Sequence, residues 1–248
     1  MGLKFISPGA LAPWYTKVIP PVTRALEGWF CLDTAIERVG FNRAPGKANA
    51  SIVGNPVVSA NSVRFKGGEN FLETQIKETE KFTYIVVGKV PGPLGGTGPA
   101  TSAPYVGDYG GSPIGPYASS GTLLYHTTDT SLTALAWREN EAGTGPTSAT
   151  ATITDEPTSW AIRSIVSNGD LGTRVTNHTT GATANQPLAT PRLMGSSPLR
   201  IGSVYGTNMR GETEISFVAI FSDALTPDEI ALLLPGIRRR MLRFGIVV

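Results

Sequence analysis

Along much of this chain apolar and polar positions alternate with a period of two, in short runs broken by Gly, Pro, Asn or Asp. That is the signature of half-buried β-strands joined by turns. Strands are predicted over GWFCLD (28–33), SVRFKG (62–67), NFLETQI (70–76), KFTYIVVGKV (81–90), TLLYHT (122–127), SLTALAWREN (131–140), TATITD (150–155), TSWAIRSIVSNG (158–169), TRVTNH (173–178) and PLRIGSV (198–204). In 81–90, Phe82, Tyr84 and Val86 face one way while Ile85 and Val87 face the other, so this strand is predicted to be central and buried on both sides. In 158–169, Trp160, Ile162 and Val166 share a face opposite Arg163, and Ser167–Asp170 turns the chain into the next strand as a hairpin.

The segment EISFVAIFSDALTPDEIALLL (214–234) changes period part-way. Phe217, Ala219 and Phe221 alternate with Val218 and Ile220, again a strand apolar on both faces. Thr226-Pro227-Asp228-Glu229 then reads as a capping box with proline at the first helical position. Ile230, Leu233 and Leu234 form the apolar face of one short helix, predicted to stop at Pro235-Gly236 and to cap a sheet edge.

Composition reinforces the all-β reading. The chain of 248 residues holds 29 Gly and 19 Pro, which punctuate it too often for long helices. Hydrophobic residues make up 40%, enough for a large core, yet no run approaches the ~18 apolar residues that a spanning helix needs. A soluble protein with no membrane partner is expected, with no evident secretory leader; Ile6 stands where a myristoylation site opening at Gly2 wants Ser or Thr. The net charge of +2 provides no overall field for nucleic acid, which is not expected as a partner. Cys31 is the single cysteine, so intrachain disulfides are impossible, and its apolar neighbours predict a buried thiol.

Three segments depart from the strand pattern. Residues 1–24 carry Pro8, Pro13, Pro20 and Pro21 and read as an extended arm; its Trp14 and Tyr15 either anchor on a neighbouring subunit or fold back onto this one. Residues 91–121 hold nine Gly and six Pro and read as a long loop. Its Tyr105, Asp108, Tyr109 and Tyr117 have the stacking faces and hydrogen-bonding groups of a glycan or protein contact, weighed against an insertion with no ligand. The tail, 235–248, carries Arg238, Arg239, Arg240 and Arg243 before an apolar end beginning at Phe244, which could pair as a strand; the arginines complement the helix dipole or else meet nucleic acid or an acidic partner, the dipole being preferred, and Arg238, Arg239, Arg240 and Phe244 are candidate assembly contacts.

The order of these elements resembles the concanavalin A-like (laminin G-like) jelly-roll β-sandwiches. The resemblance rests on SVRFKGGENFLET with KFTYIVVGKV, on TSWAIRSIVSNGDLGTRVTNHTTG, and on Ile201-Gly202, Gly211 and Leu225-Thr226-Pro227-Asp228-Glu229-Ile230 in the closing module. It implies two stacked antiparallel sheets over residues 25–234 with one short C-terminal helix. Members bind sugars or proteins, so the likeness implies fold more than activity.

Glycoside hydrolases of this superfamily place three carboxylates on one strand as E-x-D-x-x-E; here Glu212 and Glu214 share a face and no third acid follows, so no catalytic residue is assigned and a hydrolase is the least favoured reading. His126 with Asp129 is too small a set for a metal, His178 has no visible partner, and no cofactor is expected, although calcium held by loop carbonyls stays open. Compact chains of this resemblance look like bacteriophage virion proteins, capsid decorations or tail appendages. The resemblance therefore implies a non-enzymatic, homo-oligomeric virion protein contacting other virion subunits, made in the host cytoplasm, with a host surface glycan as the alternative partner.

Overall fold

The computed structural model describes residues 17–96, 98–169 and 172–248. The strand that is apolar on both faces is β6 (Phe82–Lys89), and it lies in the middle of an eight-stranded antiparallel sheet, sheet A. Phe82, Tyr84 and Val86 enter the core between the two sheets, while Ile85 and Val87 enter a second core on the outer side. Its neighbour β15 (Glu212–Phe221) splits in the same way, with Val218 and Ile220 inward and Phe217, Ala219 and Phe221 outward. Two cores, one on each side of sheet A, explain why both strands lack the polar alternation of a solvated face.

Sheet A runs β13 (Thr183–Gln186), β12 (Gly172–Asn177), β11 (Ala161–Asn168), β6, β15, β4 (Val63–Lys66), β3 (Val57–Val58). The eighth strand, β1 (Leu26–Cys31), shares one edge of β15 with β4: β4 pairs with Glu212–Ile215 and β1 with Phe217–Phe221. Sheet B has seven strands in the order β10 (Pro146–Thr154), β9 (Ser131–Glu139), β8 (Thr122–Thr128), β7 (Ala103–Gly107), β14 (Pro198–Ile201), β5 (Phe71–Lys77), β2 (Ser51–Val53). Every paired neighbour is antiparallel. The expected hairpin is β11–β12, paired from Arg163↔Asn177 to Asn168↔Gly172.

The capping box forms as the sequence requires: the Thr226 hydroxyl accepts from the Glu229 amide at 3.2 Å, and the Glu229 carboxylate accepts from the Thr226 amide at 2.8 Å. The helix it opens, α1 (Pro227–Leu242), corrects two expectations. It does not stop at Pro235-Gly236, because those two residues face solvent and Ile237 and Met241 continue the buried stripe begun by Ile230 and Leu233. Burial of that stripe outweighs the missing proline amide hydrogen bond. Nor does it cap a sheet edge: its apolar stripe packs on Ile85, Val87, Ile162, Val166, Phe217 and Phe221, across the outer face of sheet A. The tail forms no strand. Ile246 folds back into the same core and the Arg238 guanidinium donates to the Val248 carbonyl at 3.1 Å.

The reading of 91–121 as one long loop also fails. Residues 103–107 form β7, an interior strand of sheet B between β8 and β14, and the strand irregularity at Pro104/Val106 accommodates the proline. Cys31 is buried, and burial pushes its thiol up to about 11. The described end of the arm packs on the domain, with Val22 in the outer core and the Val18 amide donating to the Arg43 carbonyl; Trp14 and Tyr15 lie outside the described residues. No helix among the described residues is long and apolar enough to cross a membrane.

Candidate functional site

The four residues expected together on a ligand loop fall into four separate environments. Tyr105 and Asp108 are fully buried, correcting the expectation that they present a binding surface. Tyr105 points from β7 into the sandwich, and its hydroxyl meets His126 Nδ1 at 3.1 Å. His126 Nε2 meets Asp155 Oδ2 at 3.0 Å; the same oxygen accepts from Arg163 Nε at 2.5 Å, and Asp155 Oδ1 accepts from the Asn177 amide at 2.6 Å. The remaining Arg163 N–H groups donate to the Gly88, Glu156 and Ser159 carbonyls. Burial lowers His126 to about 4 and raises Tyr105 to about 12. Burial alone would raise Asp155, but the His126 hydrogen bond and the Arg163 charge hold its carboxyl at about 2. The chain Tyr105–His126–Asp155 has the parts of a proton relay, yet Tyr105, His126 and Arg163 are sealed from solvent. What the cluster does is tie β7, β8 and β11 together across the two sheets.

Asp108 anchors the connection from β7 to β8. Its Oδ1 accepts from the Thr122 amide at 2.8 Å, beneath Gly195 and Gly121, where a Cβ would crowd its oxygens. Burial beside Glu78 raises it well above the usual carboxylate range. Glu78 in turn accepts from the Arg192 guanidinium and the Gly195 amide. This buried acid pair with Arg192 fixes segments 108–121 and 191–197 to each other, alongside backbone pairs such as Ile114 to Met194.

Tyr109 and Tyr117 reach the surface separately. Tyr109 joins Leu123, Tyr125, Leu135, Trp137, Val204 and Met209 in an aromatic and aliphatic cluster on the outer face of sheet B. Strand β10 borders it with Ser148 opposite Trp137 and Thr150 opposite Leu135, so half-exposed rings lie beside hydroxyl groups. Tyr117, with Ile114, Glu139, Arg192 and Leu193, lines a cavity of about 180 Å³ between the two pinned segments.

The basic tail is largely committed within the chain. Arg238 donates to the His178 and Val248 carbonyls, and Arg240 pairs with Asp33 at 2.5 Å and lies over the Phe244 ring. Arg239 stays on the solvent side of the last helical turn. Glu214 is matched by Arg64 at 2.6 Å and Lys89 at 3.4 Å, and Glu212 lies 4.0 Å from Arg64, so these acids form a surface charge network. Asp129 accepts from the Leu94 amide at 2.7 Å and does not join His126. His178 meets the Ser164 hydroxyl at 2.8 Å. Among the described residues no group of three or more His, Cys, Asp or Glu is placed to hold a metal ion.

Two antiparallel sheets face to face, one carrying a helix on its outer side and the other leaving an aromatic face, define a jelly-roll β-sandwich of the concanavalin A-like kind. Solved structures of similar fold include the binding domain of botulinum neurotoxin DC in complex with SialylT (TM-score 0.60, 9% identity, 87% of this chain and 52% of that one). The same domain in complex with rat synaptotagmin II gives 0.61 at 10% identity, over 87% and 52% of the two chains. Trypanosoma rangeli sialidase in complex with sialic acid gives 0.57 at 16% identity, over 88% and 35%. This chain thus spans about half the length of the neurotoxin domains and about a third of the sialidase. No family model matches the sequence, and no curated protein does.

Proposed function

We propose that this chain is a non-catalytic contact module of a bacteriophage particle, presenting the outer face of sheet B to a partner. The observation that carries the reading is the asymmetry of the sandwich. Sheet A buries the outer face of its central strands under α1 and the tail, whereas sheet B leaves Tyr109 and Trp137 partly exposed beside Ser148 and Thr150, over a buried Tyr125. Large, stiff aromatic rings with hydroxyl neighbours supply contact area at low entropic cost, as binding surfaces require. The acids described above are committed within the fold, in keeping with a non-catalytic role: Asp108, Glu78 and Asp155 are buried, Glu214 pairs with Arg64 and Lys89, and Glu212 lies at the edge of the same network. The virion setting draws on the resemblance of the sequence, and a single buried cysteine suits assembly in a reducing cytoplasm. Homo-oligomerisation on the particle belongs to this proposal, with exposed Arg239, Leu242 and Val247 as the part of the tail free to make it.

Quantitative mass spectrometry of purified particles tests the reading: the chain is expected at a fixed copy number matching a capsid or tail symmetry. Its absence from particles, or release of reducing ends from any polysaccharide by the purified chain, would overturn it.

A second reading has host glycan as the partner of the same face. Rings such as Trp137 and Tyr109 stack on apolar sugar faces, and similar structures were solved with SialylT and with sialic acid. Glycan-array binding lost in Trp137→Ala and Tyr109→Ala would favour it; unchanged binding in both would remove it.

A further inference from the structure

A groove runs along the opposite side of the molecule, where sheet A extends past the helix that covers it. Ile162 and Val166 of β11 lie under α1, but the next two strands do not. Arg174 of β12 pairs across the sheet with Val166 on one side and Asn185 of β13 on the other. One step along, Thr176 pairs with Ser164 and with Thr183. Val175 points into the sandwich core, so Arg174 and Thr176 point outward, towards the helix. These residues make a polar floor, and Pro227, Ile230, Ala231 and Leu234 of α1 make an apolar wall. The main section measures about 290 Å³ and shares Arg174 and Pro227 with a neighbouring section of about 120 Å³ that Asn185 and Thr226 also line. Together they reach the lower part of the ~300–1,000 Å³ typical of small-ligand sites.

The charge balance of this groove is incomplete. Arg174 is half-buried and lines both sections, yet it has no hydrogen-bond or ion-pair partner among the described residues. His178, at the far end, meets Ser164 through Nε2 and is held to about 4 by burial and by the charges of Arg174 and Arg238. A half-buried guanidinium with five donors and no acceptor marks a place where an anion gains charge-assisted hydrogen bonds.

We infer that this groove is a binding site for a carboxylated saccharide, with Arg174 taking the carboxylate. The floor distinguishes a sugar from other anions. Thr176 and Thr183 share a hydroxyl hydrogen bond at 3.0 Å and Thr183 donates to the Val175 carbonyl, so their oxygens keep acceptor lone pairs for ring hydroxyls, the Asn185 amide adds a donor and an acceptor beside Arg174, and the Pro227–Leu234 wall receives the apolar ring face. The site is separate from the sheet B face, so either can fail without the other.

The test is calorimetric titration of the full chain with 3′-sialyllactose and with a glucuronate disaccharide, each against lactose, on wild type, Arg174→Gln and Ala231→Trp. Ala231 is exposed on the helix and the Arg174 guanidinium makes no hydrogen bond or ion pair among the described residues, so both variants are expected to fold. Wild type is expected to bind at least one acidic sugar and to bind lactose at least about tenfold more weakly, the scale of one charge-assisted contact. Arg174→Gln should lose that preference, and Ala231→Trp should lose binding of both classes. The His178 ring signals in NMR should move with sugar in wild type and stay still in Arg174→Gln. Equal affinity for acidic sugar in wild type and Arg174→Gln, or no binding of either acidic sugar at millimolar concentration, would overturn the assignment. So would binding of a poly-glutamate peptide at this site in preference to both sugars.

Discussion

Replacing Asp155 with alanine probes the buried charge cluster at its hub. The carboxylate is almost fully buried and accepts from Arg163, His126 and Asn177; without it a fully buried guanidinium loses its ionic partner, and a histidine and an amide each lose an acceptor. Removing one member of a buried pair costs about 3–5 kcal/mol, because the charge left behind is neither hydrated nor paired. The pKa of Asp155 gives a consistent lower bound: held at about 2 against an ordinary 3.8, it contributes roughly 2 kcal/mol through protonation linkage alone. That contribution is present above about pH 3.8 and is lost as pH falls through about 2. For a domain of this size the expected loss in Tm is roughly 6–20 °C, read by circular dichroism near neutral pH and checked by urea unfolding. The double variant Asp155→Ala/Arg163→Met should recover a large share, since the stranded cation is gone. A loss below about 1 kcal/mol in the single variant, or no recovery in the double, would refute the view that the cluster joins the sheets as an ionic unit.

Other substitutions read other parts of the account. His126 is held neutral at about 4, below its unfolded value of 6.5, so its contribution is complete above about pH 6.5 and is lost as pH falls through about 4, by roughly 3 kcal/mol; the acid-side fall in stability should be shallower in His126→Gln than in wild type, and parallel curves would contradict the assignment. Thr226→Ala removes the helix cap and should cost about 1 kcal/mol in urea titrations. Pro235→Ala restores an amide donor on the exposed side of α1 and should stabilise by roughly 1–3 kcal/mol; destabilisation would show that proline is needed there. Gly202 has φ of +80°, and a Cβ there would lie 2.3 Å from Phe65, so Gly202→Ala should lose about 3 kcal/mol through strain and overpacking, measured by thermal unfolding.

Strong periodicity made the centre of the fold readable from sequence. β6 and β15 show apolar residues on both faces because a helix covers one side of sheet A, and the capping box marks where that helix starts. The helix end was obscured because Pro235 and Gly236 are stop signals, yet they fall on the solvent side of a stripe that continues to Met241. β7 was hidden for a related reason: Ala-Pro-Tyr-Val-Gly looks like loop, and only its neighbours β8 and β14 make it a strand. β2, β3 and β13 are short edge strands, largely exposed, with little apolar pattern to find. Asp108 looks like a surface ligand in the sequence because carboxylates usually are exposed; its burial depends on Glu78, Arg192 and Gly195, all distant in sequence. Arg174 carried no signal of its own, since its exposure beside α1 arises from the packing of two elements about fifty residues apart.

The claim that sheet B's outer face is the presented surface is tested most directly by hydroxyl-radical footprinting of the free chain and of the chain in assembled particles. Trp137 and Tyr109 should be oxidised in the free chain and protected on the particle, while exposed Leu232 on α1 stays equally reactive in both. Equal oxidation of Trp137 and Tyr109 in the two states, with protection confined to α1, would contradict it.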